Sequence, residues 1–204
     1  MCGSGGEERD SILASHEAWE NELNVTIQER KFSFRSTYDI SAPGVTYFAQ
    51  KAFFAFLDKL ELRTKAGELV AKLQSHFTFI RTNYDFILTD GRTYHFLCEK
   101  IWKGVYVCER SEESFHLYRH KGLRYSIFKG DDQIAAITKN RLVIGNGNEY
   151  DIRMNSDADV IVISCMVLAL NTGDGDDDKD STVTYDFGNV GPEDRRFDDS
   201  WAPR

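Results

Sequence analysis

Residues 160–170 read VIVISCMVLAL, apolar on every face apart from Ser164. Such a segment must be enclosed on all sides or lie in a bilayer. Spanning a bilayer takes about 17–25 apolar residues, and this run is shorter. It therefore needs a protein shell. Its β-branched start suits a strand buried on two faces. Its length favours a helix, and so does what precedes it. Ser156 is an N-cap residue, and Asp157 and Asp159 suit the positive end of a helix. The pattern predicts a core helix over about 157–170.

The shell is written in the preceding residues, where from about 23 to 154 the apolar period is two. Leu60 and Leu62 alternate with Lys59, Glu61 and Arg63, and Leu69, Ala71 and Leu73 with Glu68, Val70, Lys72 and Gln74. Tyr94, Phe96 and Cys98 alternate with Thr93 and His95. Leu123, Tyr125 and Ile127, then Tyr150, Ile152 and Met154, repeat the pattern. Strict alternation means antiparallel strands with one buried and one wet face. Turn signals separate them, among them Asp90-Gly91, Lys103-Gly104, Lys121-Gly122 and Gly145-Asn146-Gly147. No proline lies between Pro43 and Pro192, so none removes a ladder donor in between. The expected fold class is mainly β: a closed antiparallel barrel threaded by the apolar helix.

Charge divides the chain further. The formal net charge is -8. Residues 1–15 contribute -2 and 171–204 contribute -6, so 16–170 is neutral. We expect a flexible acidic tail over 1–15, a barrel domain over 16–172 and an acidic disordered tail over 173–204. Residues 11–22 have the makings of one or two helical turns, with Ile12, Leu13 and Trp19 inward. The acidic balance argues against nucleic acid as a partner. The opening MCGSGGEERD lacks an apolar signal region, and the four cysteines form no disulfide framework. The expected address is intracellular, cytoplasmic and peripheral to membrane, with no transmembrane span.

Three segments carry a family resemblance: YFAQKAFFAFLDKLELRTKAGELVAKL (47–73), FHLYRHKGLRYSIFKGDDQIAAITK (115–139) and NEYDIRMNSDADVIVISCMVLAL (148–170). In order and pattern, roughly 25–172 resembles the LURP-one-related family of the tubby-like fold, relatives of the phospholipid scramblases. The resemblance implies a barrel of about 12 strands around the helix. It also implies a non-enzymatic binding module whose relatives associate with phosphoinositides or membranes. The helix is shorter than the scramblase one.

Within the neutral domain, residues 92–129 hold eight bases against four acids. Solvated strand faces are the ordinary reading. The functional reading is a basic face for an anionic headgroup, with Lys100, Lys103, Arg119, Lys121 and Arg124 as candidates. The expected partner is anionic phospholipid, or an unidentified protein if the acidic C-terminal tail is an interaction scaffold. The tail is also a candidate occupant of the basic patch.

The remaining candidates are weak. Asp174, Asp176, Asp178 and Asp180 alternate like half an EF-hand loop, but Lys179 and Tyr185 stand where glycine and glutamate are needed. Cys98, Cys108, His116 and His120 have zinc-ligand types, but on a strand the two histidines lie about 13 Å apart, beyond one ion's reach. GxSxG and P-loop patterns are missing. No cofactor, metal or catalytic residue is expected.

Overall fold

The computed structural model describes residues 22–32, 35–51, 59–76, 82–141, 147–173 and 193–204. Twelve strands follow one another: β1 (Glu22–Phe32), β2 (Arg35–Ala42), β3 (Val45–Lys51), β4 (Lys59–Thr64), β5 (Leu69–Ser75), β6 (Asn83–Leu88), β7 (Thr93–Lys100), β8 (Val105–Arg110), β9 (Glu113–His120), β10 (Arg124–Lys129), β11 (Asp132–Arg141) and β12 (Asn148–Asn155). One helix follows, α1 (Val160–Gly173). Each strand pairs antiparallel with its chain neighbour, and β12 returns to β1 from Glu22↔Asn155 to Gln28↔Glu149. The sheet is a closed barrel and has no edge to protect.

The alternation sets what fills it. Leu60, Leu62, Ala71, Leu73, Phe86, Tyr94, Phe96, Leu117, Tyr125, Ile127, Ile152 and Met154 point inward and are buried. Val162 through Leu170 of α1 pack among them, every residue buried. Both ends of the helix are fixed by polar contacts. At the start, the Asp159 carboxylate accepts the amides of Ile161 and Val162 at 2.9 and 3.1 Å. The same carboxylate pairs with Arg92 of the β6–β7 turn at 2.5 Å. At the far end, the Asn171 side chain accepts from Tyr150 and Asn148 and donates to Tyr38. Burial, with Glu29 nearby, pushes the Tyr38 phenol up to about 12.

The helix begins three residues later than the sequence suggests. The cap is Asp159, not Ser156, because Asp159 can also answer Arg92 across the barrel mouth. Leu123 is not a strand residue. It lies half-buried in the β9–β10 turn at φ +58°, where a branched side chain costs about 1 kcal/mol or more. Of the helical turns expected over 11–22, residues 11–21 fall outside the described residues, and Glu22 opens β1. So does the EF-hand-like run 174–180.

The helix interior makes a direct test. Leu168→Ala is expected to cost about 2–5 kcal/mol in urea unfolding. The buried Ser164 hydroxyl has no partner among the described residues. Ser164→Ala is therefore expected to be neutral, or stabilising by about 1 kcal/mol. A loss from Ser164→Ala matching that of Leu168→Ala would show that the hydroxyl is bonded.

Candidate binding rim and its covering segment

The β7–β8 and β9–β10 connections lie side by side at the barrel end where α1 finishes. The Arg119 amide donates to the Gly104 carbonyl at 2.8 Å, extending the β8–β9 ladder into the turn. A side chain at Gly104 would place its Cβ 2.6 Å from that of Arg119, and Gly104 has φ +58°. Glycine is thus required where the two connections meet. Lys100 ends β7 and Lys103 ends a short 3-10 turn, Ile101–Lys103. Between the lysines, Ile101 is 40% and Trp102 76% exposed.

The five candidate bases divide by position. Lys100 and Lys103 converge on one carboxylate, that of Asp194, at 2.7 and 2.5 Å. Hydrogen bonds from Lys100 and then Lys103 hold the Asp194 carboxyl below the usual range. Arg124 pairs with Asp199 at 2.5 Å and lies over the Phe197 ring at 4.3 Å. Lys121 is exposed in the turn. Arg119 pairs with inward Tyr125 and shares its side of the sheet, half-buried. Three of the five therefore meet the rim or its occupant from outside, and Arg119 sits on the other side of the wall.

That occupant is the segment 193–204, which crosses the outer wall of β9–β12. Arg195 lies over Phe128 at 4.1 Å and pairs with Asp131 at 2.6 Å. The Trp201 carbonyl accepts from Arg153 at 2.7 Å. The Arg204 amide donates to Asn155 at 3.0 Å, and the Arg204 carbonyl accepts from Ser156. The cover explains β10, where Ser126 and Phe128 point away from the core yet are buried. His120 is buried in the same way, 5.2 Å from the Phe197 ring.

Under the cover, His120 Nε2 lies 2.7 Å from Ser126 Oγ, and His120 Nδ1 lies 3.4 Å from Glu193. The order matches a nucleophile, base and acid. The setting does not. Ser126 is mid-strand between Tyr118 and Ala136, so neighbouring amides are used by the ladders rather than aimed at a developing oxyanion. Burial lowers the affinity of His120 for a proton, the Glu193 carboxylate partly opposes this, and Arg124 adds to the lowering.

The cysteine-histidine quartet does not converge. Cys98 and Cys108 face the core, while His116 and His120 point outward. Cys108 stands opposite Phe96, and Cys98 opposite Tyr106, so the thiols do not face each other. Burial pushes the Cys108 and Cys165 thiols up, away from the reactive thiolate. Among the described residues, no helix is long and apolar enough to cross a membrane.

Sequence reasoning missed Trp102, although its place between two lysines before a glycine turn was visible. It offered the acidic tail as an occupant of the basic patch, but not the ring contacts through Phe197 and Trp201 that seat residues 193–204 on the wall.

No curated protein and no solved structure matches the chain. The model of the LURP-one-related family matches residues 23–171, from the start of β1 to the Asn171 anchor of the helix. The match spans the whole barrel and its plug and stops short of the covering segment: this chain belongs to the LURP-one-related family.

Proposed function

We propose that this chain is a non-enzymatic binding module that docks on anionic membrane, phosphoinositide-bearing membrane included, through the rim around Trp102. The observation that carries the reading is the exposed Ile101-Trp102 pair set between Lys100 and Lys103. Tryptophan favours the headgroup level of a bilayer, where its ring is half-solvated. Flanking lysines add about 1 kcal/mol each near an anionic leaflet. The two ammoniums that meet on Asp194 are spaced to take one anionic group, and a phosphate offers more acceptors than a carboxylate.

In this reading the segment 193–204 is a competitor. Asp194 occupies the lysine pair and Asp199 occupies Arg124. These ion pairs are exposed and individually weak, so a surface carrying many charges can displace them.

The test is co-sedimentation of the full chain with vesicles of neutral lipid, of neutral lipid with phosphatidylserine, and with a phosphoinositide added. Binding is expected only with anionic lipid and is expected to fade with salt over the Debye range. Trp102→Ala and the pair Lys100→Glu, Lys103→Glu should each reduce binding at least about tenfold, the equivalent of about 1.4 kcal/mol. The pair Asp194→Asn, Phe197→Ser should raise it. Anionic-lipid binding indifferent to Trp102 and both lysines would end the reading. Labelling of Ser126 by a serine-directed fluorophosphonate, in the full chain or the Asp194→Asn, Phe197→Ser form, would end its non-enzymatic part.

Acid should loosen the cover. The buried His120 binds a proton less readily than a free imidazole. Its stabilising contribution is therefore complete above the ordinary value of about 6.5 and is lost as pH falls below it. Asp194, held low, adds a loss in the same direction at more acidic pH. Amide protection over 193–204, corrected for intrinsic exchange, is expected to fall between about pH 7.5 and 5.5. His120→Gln should flatten that profile.

A further inference from the structure

A second cluster lies away from the rim, on the outer face of β5, β6 and β7. Inward Tyr84, Phe86, Tyr94 and Phe96 leave Asp85 and His95 facing outward. The register sets Asp85 directly opposite His95. His76 follows β5, and its amide donates to the Asn83 carbonyl, which holds it beside the same site. His76 Nε2 lies 2.8 Å from one Asp85 oxygen, and His95 Nδ1 lies 2.8 Å from the other. One donor atom from each of the three residues lies within 4.8 Å of the others.

We propose that His76, Asp85 and His95 are a three-ligand site for a divalent transition-metal ion of the zinc class, with the remaining position open to solvent. Two imidazoles and a carboxylate suit zinc, cobalt, nickel or copper, whereas calcium and magnesium select all-oxygen cages. Bonds of about 2.0–2.2 Å at tetrahedral angles put ligand atoms about 3.4 Å apart. The ion takes one Asp85 oxygen, so the 2.8 Å contact to that oxygen opens by about half an ångström, while the other edges close from within 4.8 Å, both by side-chain rotation. The backbones need not move, because Asp85 and His95 sit in a closed ladder and His76 is tied to Asn83. A rigid frame keeps the ordering cost of binding low. Partial burial works against the Asp85 carboxylate, but the hydrogen bonds from His95 and His76 outweigh it and keep the group ionised. The competing arrangement is a plain ionic cluster, two imidazoles sharing one carboxylate. The two arrangements differ in whether they take up a metal.

The site is separate from the rim in position and chemistry, so its fate does not depend on lipid binding. The test is zinc titration of the full chain by calorimetry in a Cys2→Ser background, which removes a thiol outside the described residues. One ion per chain is expected, with micromolar or tighter affinity. Asp85→Asn and His95→Gln should each weaken it more than about tenfold, as loss of a single ligand-shell group does. Cobalt substituted at the site should show visible ligand-field bands without thiolate charge transfer. The three side chains face outward, and unchanged far-ultraviolet dichroism confirms that the variants fold. The absence of saturable uptake overturns the proposal. So does uptake that survives Asp85→Asn and His95→Gln together, or a cobalt spectrum dominated by thiolate.

Discussion

A helix apolar on every side has one stable place in water, the inside of something closed. Every residue from Val162 to Leu170 is buried here, and no open sheet could achieve that. Closure in turn demands a return pairing between the last strand and the first, which β12 and β1 supply. The helix therefore sets the barrel as much as the barrel holds the helix. The polar contacts at its two ends, Asp159 with Arg92 and Asn171 with Tyr38 and Tyr150, give a greasy rod one axial position. Without them, the helix could slide by a turn at little cost in apolar contact.

The inner face of this wall was legible because it obeys one rule. Tyr94, Phe96, Tyr125, Ile127, Ile152 and Met154 alternate in the chain and point inward in the fold. The outer face was not, because its burial depends on residues far away in the chain. Ser126 and Phe128 look like solvent positions until Phe197 and Arg195 cover them. Composition assigned 173–204 to solvent, since four acids and three bases among its last twelve residues offer no continuous apolar stripe. Phe197 and Trp201 are enough to seat the end of it, because the wall already presents His120, Arg124 and Arg153 to receive them. Misplacing the helix start by three residues has the same origin. Ser156 is the better cap by local pattern, but Asp159 is the one within reach of a residue 67 positions earlier.

Sites on this barrel are hidden from a linear reading for a geometric reason. A meander brings together residues spaced by roughly twice a strand length, and that spacing varies with each turn. His76, Asp85 and His95 are nine and ten residues apart, a pattern matching no ligand motif, and meet only through the register of β5, β6 and β7. The lysine pair was easier, since Lys100 and Lys103 bracket one turn. Even there, the sequence could not say that Arg119 would fall on the opposite side of the wall from Arg124. That depends on the parity of the β9–β10 pairing.

The covering segment lies in one direction for electrostatic reasons. Its leading acids, Glu193 and Asp194, meet His120, Lys100 and Lys103, and Asp199 meets Arg124. Its bases Arg195 and Arg204 meet Asp131 of the β10–β11 turn and Asp132, the first residue of β11. Reversing the segment would set Glu193 against Asp132 and leave the lysines and Asp131 facing the uncharged Pro203 and Ala202. Each exposed pair is worth little alone, so the charges choose the register while ring contacts through Phe197 and Phe128 supply much of the adhesion. A contact built this way is specific without being tight. It keeps a hydrophobic strand face from solvent, and under the function proposed above it is the contact that a denser array of negative charge would displace.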